Sequence, residues 1–397
     1  MSLSERELAE RSGVTPGTVR RLVELGVLAP RDAEGRFELE DVHRVRLMEA
    51  FEAAGVDLRA IARGIAAGEV SYENLGLFLS EPVALSKPYA ELADETGRSP
   101  ELLRRLVGEF GLPQSPEEPR LREDDARVLA DLSAVWAEAD DEELARLART
   151  YGESLRRLVV SDLQLANTAI FSRVRSRDVD EVRRRGAEMG TQVNALAERL
   201  LVWLRRRHLE HEILSFIVQT TEDYLQERGI APRRPRRPPA IAFLDLTGYT
   251  ALTEERGDEA AAELAGRLAA LVHEAAQSHG GHSVKWLGDG VMFYFPDPAA
   301  AVSSALDLVE QTPAATDVQA RVGVNAGQVI AREGDYFGST VNVAARIADV
   351  ARPGEVVVSA EVKERASREG VEFHPLGPVL IKGLKDELTL YSATRAG

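Results

Sequence analysis

The sequence lacks cysteine altogether, which excludes a disulfide framework and makes a cytoplasmic location the expectation. It also lacks long apolar runs, since none approaches the roughly 20 residues that a membrane-spanning helix needs. We therefore expect no membrane span and no signal peptide. An excess of positive charge is missing too, because the net charge is −16 at pH 7. The overall electrostatic field consequently opposes binding to nucleic acids and to anionic membranes.

Lysine is scarce, and this scarcity makes the few lysines informative. Of the 49 basic residues only five are lysine, namely Lys87, Lys285, Lys363, Lys382 and Lys385. Arginine is thus the usual cation of this chain, so a lysine within a motif indicates a site that requires a compact point charge. Lys285 opens the pentapeptide Lys-Trp-Leu-Gly-Asp, which ends at Asp289.

Asp289 lies at the tip of a predicted hairpin. Two β-prone runs flank Gly288-Asp289-Gly290, and such a turn between two strands is a strong hairpin signal. A carboxylate at a hairpin tip can stay hydrated and bind a metal ion. The alternative interpretation is that Asp289, like Asp245, is an ordinary turn aspartate.

Asp245 ends a predicted buried strand. The apolar run 240–244 precedes it, and the chain then turns through Gly248 into a predicted helix at 251–255. Free backbone N–H groups at such a turn, around Thr247 and Gly248, suit a phosphate chain. Two aspartates at strand ends, with a phosphate cradle beside one of them, fit a two-metal site for phosphoryl transfer.

A third motif combines an acidic residue with a polar helix face. Asp335 precedes a predicted helix on which Asn342 and Arg346 are four residues apart, so both project from one face and can bind one ligand. Asparagine supplies a directional hydrogen bond, and arginine offers several donors to phosphoryl oxygens. Further on, Lys382 follows a predicted strand and lies next to a turn.

Taken in order, these motifs resemble the catalytic domain of the class III nucleotidyl cyclases, which make cyclic AMP or cyclic GMP. The resemblance covers about residues 239–395. It implies an α+β fold, with a C-terminal ferredoxin-like βαββαβ catalytic domain preceded by an all-α regulatory region. The short connection from Gly327 to Asp335 resembles the subgroup with a shortened arm, which is common in actinobacteria. Trp286 departs from the pattern, since small or β-branched residues are usual at that position.

The resemblance assigns ligands to a metal–nucleotide complex. Asp245 and Asp289 resemble the residues that bind two divalent metal ions, Mg²⁺ or Mn²⁺, with the carbonyl of Leu246 as an extra ligand. Lys285 and Asp335 resemble the pair that recognises adenine, in which the lysine donates to ring N1 and the aspartate accepts from the 6-amino group. Guanine-specific members carry other residues at these two positions, so the expected substrate is ATP.

The remaining motif residues resemble groups that act on the ribose and the phosphates. Asn342 resembles the residue that orients the ribose, and Arg346 the one that stabilises charge on the α-phosphate in the transition state. Lys382 resembles the lysine that holds the terminal phosphates. The expected reaction is in-line attack of the ATP 3′-oxygen on the α-phosphorus, with pyrophosphate as the leaving group.

The spacing of Lys285 and Asp289 indicates that two copies of the chain share each site. Four residues of extended strand span roughly 13 Å, which is awkward for two side chains that serve the same end of one nucleotide. In the family, the metal-binding aspartates come from one subunit, whereas the adenine pair, the Asn and the Arg come from the other. A head-to-tail homodimer of this chain would therefore contain two equivalent sites.

Composition divides the chain into four predicted segments. Residues 229–239 form an arginine- and proline-rich linker, whose prolines favour a stiff, extended connector. Its arginines leave two interpretations open, docking onto an acidic surface or simple solvation. The catalytic domain follows at 240–397, and two helical segments, 1–80 and 81–228, precede the linker.

The N-terminal half contains a repeat with an offset of 84 residues, in which 7–23 parallels 91–107. Each copy reads as a helix, a glycine turn, and a second helix opened by Thr-Pro or Ser-Pro. Residues 1–80 resemble the winged helix-turn-helix of MerR-type regulators. Residues 81–228 are interpreted as a second such repeat followed by long amphipathic helices, whose apolar stripes need a partner and suit a dimerisation and regulatory region.

A helix-turn-helix raises the question of DNA binding. Its second helix offers Arg20 and Arg21, yet the surrounding residues carry slightly more acid than base, whereas phosphate contacts need a basic footprint. We therefore expect a module that contacts protein rather than DNA. The alternative function is a nucleotide-sensing, DNA-binding transcriptional regulator whose cyclase-like domain binds ATP without turnover. The full set of catalytic residues favours the enzyme.

Overall fold

The computed structural model describes residues 2–72, 79, 85–112, 120–166, 168, 179–232, 238–248, 257–366, 370–381 and 387–396. The chain forms two compact units, Met1–Glu227 and Arg228–Gly397. This division falls at the start of the predicted linker, of which residues 233–237 lie outside the described part. The finer predicted boundaries, at 80 and 239, stay predictions.

The N-terminal unit contains two successive copies of one winged motif. The first copy consists of β1 (Ser2–Leu3), α1 (Glu5–Ser12), α2 (Pro16–Glu24), β2 (Phe37–Glu38), α3 (Asp41–Ala53) and α4 (Leu58–Ala66). The second consists of β3 (Leu85–Pro88), α5 (Tyr89–Thr96), α6 (Pro100–Glu109), β4 (Arg120–Arg122), α7 (Glu123–Val135) and α8 (Asp141–Ala166). Helices α5 and α6 begin 84 residues after α1 and α2, so the sequence repeat is also a structural repeat. In its described residues the unit has two short antiparallel strand pairs, β1–β2 and β3–β4, besides its helices.

The same local chemistry starts the second helix of each copy. Thr15 Oγ1 accepts a hydrogen bond from the backbone N–H of Thr18 at 3.2 Å, and Ser99 Oγ accepts one from that of Leu102 at 3.1 Å. Each bond satisfies one of the N–H groups that a helix start leaves free. Proline follows the capping residue in both copies, where its missing N–H removes no helical hydrogen bond.

Each copy has its own hydrophobic core, built from equivalent positions. Buried members of the first core include Leu8, Val19, Leu22, Val42 and Val45. The corresponding members of the second core are Leu92, Leu103, Leu106, Ala126 and Leu129. Each copy therefore buries its own apolar side chains, as a small helical domain does.

Two long helices end the N-terminal unit, as the amphipathic pattern predicts. Helix α8 has 26 residues, and α9 (Val179–Glu227) has 49. Large apolar side chains are exposed along α9, among them Trp203 at 57%, Phe216 at 67% and Val218 at 66%. Exposed apolar surface of this extent is typical of an interaction surface. Among the described residues, no helix combines the length and the apolar character that crossing a membrane requires.

The C-terminal unit is built on one large mixed sheet. The strands of this sheet are β5 (Ala240–Thr247), β6 (His282–Leu287), β7 (Gly290–Phe295), β8 (Gln319–Ala326), β11 (Val356–Ser359), β12 (Val371–Val379) and β13 (Leu388–Arg395). A separate two-stranded ribbon consists of β9 (Ile330–Arg332) and β10 (Asp335–Phe337). The helices of the unit are α10 (Asp258–Ser278), α11 (Pro298–Thr316), α12 (Ser339–Val350) and α13 (Ala360–Ala366). The sheet has the order β12-β13-β11-β8-β5-β7-β6, whereas β9 and β10 pair only with each other. The succession β5-α10-β6-β7-α11-β8 is the predicted βαββαβ order.

Alternation along the strands gives this sheet two chemically different faces. One face forms the main core under α10, α11 and α13, with buried side chains that include Ala242, Leu244, Phe293, Val322, Val324 and Val356. The opposite face carries Ile241 and Met292, which pack against Val341 and Ala344 of α12. Among the described residues this second face also carries Asp245, whose side chain is 33% exposed, and we call it the open face.

Helix α12 lies directly against the backbone of β8. A Cβ atom added at Gly323 would lie 2.1 Å from the backbone N of Ala348 and 2.7 Å from the carbonyl carbon of Ile347, so this approach requires glycine. Near the start of the helix, buried Asn325 donates from Nδ2 to the carbonyl of Thr340 at 3.2 Å. The position of α12 over the open face is thus fixed near both of its ends.

Candidate active site

Pairing between β5 and β7 brings the two predicted metal-binding aspartates together. Asp245 lies opposite Gly290, so Asp289 is the residue immediately before the partner of Asp245. Leu287 pairs with Gly290, and Gly288 and Asp289 form the two-residue turn between β6 and β7. Gly288 has φ 67°, a left-handed conformation that glycine adopts without strain. The predicted hairpin is therefore present, with Asp289 at its tip.

The carboxylate of Asp245 is held by a cation that the sequence reasoning missed. Arg321 lies opposite Asp245 on β8, and its Nη2 and Nε donate to Asp245 Oδ2 at 2.5 and 2.8 Å. Nη1 of Arg321 also donates to the carbonyl of Asp349, near the end of α12, at 3.1 Å. The sequence offered one signal for this residue, which is an arginine inside a strand whose other residues are mostly small or apolar.

Lys285 and Asp335, 50 residues apart in the sequence, form an ion pair through Lys285 Nζ and Asp335 Oδ2. The other carboxylate oxygen of Asp335 accepts the backbone N–H of Tyr336 at 2.8 Å. Lys285 Nζ also lies 5.7 Å from the ring centroid of Phe337, within cation–π range. The two charged side chains are 36% and 24% exposed, so a ligand can reach the pair.

A bulge in β6 places His282 on the same face of the sheet as Lys285. Lys285 lies opposite Met292 and His282 opposite Tyr294, with a register shift between the two pairs. Strict alternation would place residues three apart on opposite faces of a strand. Because the bulge inserts one extra residue, both side chains share the open face with Asp245.

Asn342 and Arg346 lie one turn apart on α12, as predicted. Asn342 is exposed, and Arg346 is half-buried. Among the described residues, nothing forms a hydrogen bond with the buried Nη1 atom of Arg346. Leaving a buried N–H group unpaired costs about 1–3 kcal/mol. This guanidinium is therefore suited to a ligand that brings its own acceptor.

The other predicted site residues follow β5 or fall outside the described part. Leu246 buries its side chain in the main core, which leaves its backbone carbonyl as the only group it can offer a metal. Thr247 and Gly248 are exposed at the end of β5, and Gly248 has φ 85°. The predicted helix at 251–255 and Lys382 lie outside the described residues, so their roles stay predictions.

The chemistry of the aspartate pair fits a divalent cation. Carboxylate oxygens are the ligands that Mg²⁺ and Mn²⁺ prefer. Both hydrogen bonds from Arg321 to Asp245 go to Oδ2. In the part of the chain that the structure describes, no group of three or more histidine, cysteine, aspartate or glutamate side chains could hold a metal ion. Backbone oxygens, water or the oxygens of a bound phosphate would therefore complete the coordination shell.

Comparison with known proteins gives the family of this arrangement. The sequence profile of the adenylate and guanylate cyclase catalytic domain matches residues 234–394. An adenylate cyclase of Glutamicibacter nicotianae is 30% identical over 287 residues, which make up 68% of this chain and 69% of the relative. The chain belongs to the adenylate cyclase family. The family that the sequence motifs resemble is therefore confirmed.

Three further matches each cover one part of this cyclase. A pH-sensitive adenylate cyclase of Mycobacterium tuberculosis is 37% identical over 170 residues, or 41% of this chain and 43% of the relative. The crystal structure of the adenylyl cyclase CyaB from P. aeruginosa aligns at 23% identity with a TM-score of 0.38, covering 41% of this cyclase and 96% of that chain. The profile of MerR helix-turn-helix regulatory proteins matches residues 3–67, which confirms the resemblance of the first repeat.

Proposed function

We propose that this cyclase converts ATP into 3′,5′-cyclic AMP and pyrophosphate at sites that two copies of the chain build together. The observation that carries the proposal is the ion pair of Lys285 and Asp335, on the same sheet face as Asp245. It puts a hydrogen-bond donor and an acceptor, both suited to a purine edge, on the face that also carries carboxylates suited to a metal–triphosphate complex. Family membership supports the reaction class.

The donor–acceptor pattern of this pair favours adenine over guanine. Adenine presents an acceptor at N1 and a donor at its 6-amino group, which complement Lys285 and Asp335 in that order. Guanine reverses both groups, since it presents N1–H and O6. A reversed pattern would leave two polar contacts unpaired, and unpaired contacts are what make hydrogen-bonding sites selective.

The carboxylates of Asp245 and Asp289 and the guanidinium of Arg321 would lie beside the triphosphate. Asp245 and Asp289 would hold the divalent ions, with the Leu246 carbonyl as a further ligand. When bound there, such ions acidify the 3′-hydroxyl and neutralise phosphate charge. Arg321 holds Asp245 in one orientation before substrate arrives, so less reorganisation is needed on binding.

Arg346 and Asn342 would act at the reacting end of the nucleotide. The Nη1–H of Arg346, which has no hydrogen-bond partner among the described residues, would donate to an α-phosphate oxygen, on which charge develops as the 3′-oxygen attacks. Asn342, one turn earlier on α12 and exposed, would orient the ribose. Positioning and electrostatics dominate phosphoryl transfer, so both contacts would contribute to the rate.

The arrangement within one chain supports sites shared between two copies. Within the described part of the chain Arg321 pairs with Asp245, whereas one donor of Arg346 has no partner there. Apolar side chains are also exposed on this side of the hairpin and on the ribbon, with Leu287 at 50% and Phe337 at 46%. A second copy packed on the open face would cover these side chains and complete both sites, as a two-fold axis requires.

Incubation of the purified chain with ATP and either Mn²⁺ or Mg²⁺ tests the proposal. The expected product is cyclic AMP, and GTP should be used at least about a hundredfold less efficiently, in kcat/KM. The alternative, a regulator that binds ATP without turnover, predicts saturable ATP binding with the nucleotide recovered unchanged. That outcome would remove the proposed activity.

The purine pair can be tested by a double substitution. Lys285→Glu with Asp335→Cys is expected to lower kcat/KM for ATP about a hundredfold, because both adenine contacts are lost. Lys363→Glu serves as the matched control, since it makes the same charge reversal at a lysine that lies over the ring of Tyr391, outside the site. An undiminished preference for ATP in the double variant would show that these residues do not read the base.

We infer that the N-terminal unit regulates the catalytic unit rather than only tethering it. The inference is supported by the exposed apolar side chains of α9, which require a partner, and by the linker that leads into β5. In a dimeric enzyme a shift of a few ångströms between subunits would separate shared catalytic residues. Deletion of residues 1–228 is expected to raise specific activity severalfold, measured with both proteins dimeric. Equal activities would reduce the N-terminal unit to a dimerisation scaffold.

The predictions that the chain does not bind DNA and that it is cytoplasmic stay proposals. The arginines of α2 that could meet DNA are engaged within the chain, since Arg21 donates to Glu52 at 2.5 and 2.6 Å and Arg20 lies 3.1 Å from Glu5. These contacts reduce the positive charge that α2 offers to DNA phosphates, and a gel-shift assay against random duplex DNA would test the expectation that DNA is not bound. The cytoplasmic location is proposed on the need for ATP, and fractionation of the native host would test it.

A further inference from the structure

The ribbon that carries Asp335 is too small to hold itself in place. It consists of β9 and β10, three residues each, paired only with each other. Two-stranded ribbons are marginally stable at best in water. The position of Asp335 relative to Lys285 must therefore be fixed by packing between the ribbon and the large sheet.

An aromatic cluster provides this packing. Tyr336 stacks on Tyr294 of β7, with ring centroids 4.4 Å apart and an angle of 9° between the ring planes. The imidazole of His282 lies against both rings, at 5.3 Å from Tyr294 and 6.2 Å from Tyr336. The bulge in β6 is what brings His282 onto this face. We call these three side chains the aromatic clamp.

Alternation along β10 links the clamp to the purine-reading pair. Tyr336 points to the sheet, while its neighbours Asp335 and Phe337 both contact Lys285 from the other side of the strand. The backbone N–H of Tyr336 also donates to Asp335 Oδ1. Any tilt of the Tyr336 ring would therefore move the carboxylate and the phenyl ring that hold Lys285.

We propose that the aromatic clamp of His282, Tyr294 and Tyr336 is a positioning element that sets the purine selectivity of the site by fixing Asp335 against Lys285. The inference rests on the proposed function, because it concerns how the same site recognises its base. The clamp residues touch the ribbon and the sheet rather than the reacting atoms, so their loss should weaken base recognition without removing the chemistry.

The test compares Tyr336→Leu with Tyr336→Phe in the full-length dimer. Tyr336→Leu removes the ring and is expected to raise KM for ATP about tenfold and to narrow the ATP-over-GTP preference by a similar factor, with kcat within about twofold. Tyr336→Phe keeps the ring and should retain wild-type values. Tyr391→Leu is the matched control, since Tyr391 packs against the main core on β13, and it should leave KM and selectivity unchanged.

A binding measurement separates this proposal from the proposed function. Affinities for non-cyclisable ATP and GTP analogues should show the same loss of selectivity in Tyr336→Leu, whether or not the wild type turns over ATP. His282→Ala, which removes an exposed member of the clamp, should give a smaller shift in the same direction even where Tyr336→Leu fails to fold. Unchanged selectivity in both variants, equal damage in Tyr336→Phe, or an equal effect of Tyr391→Leu would overturn the proposal.

Discussion

Asp245→Ala and Asp289→Ala are each expected to lower kcat for cyclic AMP formation about a thousandfold, since metal-assisted charge stabilisation supplies several kcal/mol. Either substitution removes one of the two carboxylates that the β5–β7 pairing brings together. Arg321 could not replace a lost carboxylate, because it adds positive charge but no ligand. The measurement is the initial rate at saturating ATP and Mn²⁺.

The loss should not come from unfolding. The Asp245–Arg321 pair is about a third exposed on the carboxylate side, so its removal should cost only about 1 kcal/mol and lower Tm by a few degrees. Glu364→Ala on α13, an exposed position, controls for the loss of one negative charge. Wild-type-like turnover in either aspartate variant would contradict the two-metal assignment.

Mixing two inactive variants is expected to restore activity. Asp245→Ala and Arg346→Ala each disable both sites of their own homodimer, but in a mixed dimer one site receives both intact halves. Random pairing of equal amounts puts half of the chains in mixed dimers with one active site of two, so about a quarter of the wild-type rate should return. The rate is measured after the subunits have exchanged.

A second mixture supplies the matched control for this experiment. Asp245→Ala with Asp289→Ala places both lesions in the same half of the site, so their mixed dimers should stay inactive. Recovery in the first mixture and none in the second would locate the aspartates and Arg346 on opposite subunits. No recovery in either mixture, with mixed dimers demonstrated by differential tags, would mean that each chain builds its own site.

Features set by neighbouring residues were predictable from the sequence. The Gly-Asp turn specifies the hairpin tip, the apolar run ending at Asp245 specifies β5, and the four-residue spacing of Asn342 and Arg346 places them on one helix face. The 84-residue repeat also predicted a second helix-turn-helix-like unit, because the caps and core positions recur with the residues that form them.

Features that depend on distant contacts were not predictable in the same way. The pairing of Arg321 with Asp245 follows from the order of strands β8 and β5 in the sheet, which no local pattern encodes. The bulge that brings His282 onto the same face as Lys285 arises from a register shift against β7. The contact between Lys285 and Asp335 was expected only through the resemblance to a known family, since 50 residues separate them.

The most direct measurement of the central claim follows ATP labelled at the α-phosphate in one incubation with the purified full-length chain and Mn²⁺ or Mg²⁺. In-line attack of the 3′-oxygen predicts cyclic AMP and pyrophosphate in equal amounts, with all label in cyclic AMP. Recovery of unchanged ATP, or its conversion to ADP and phosphate, would contradict the account.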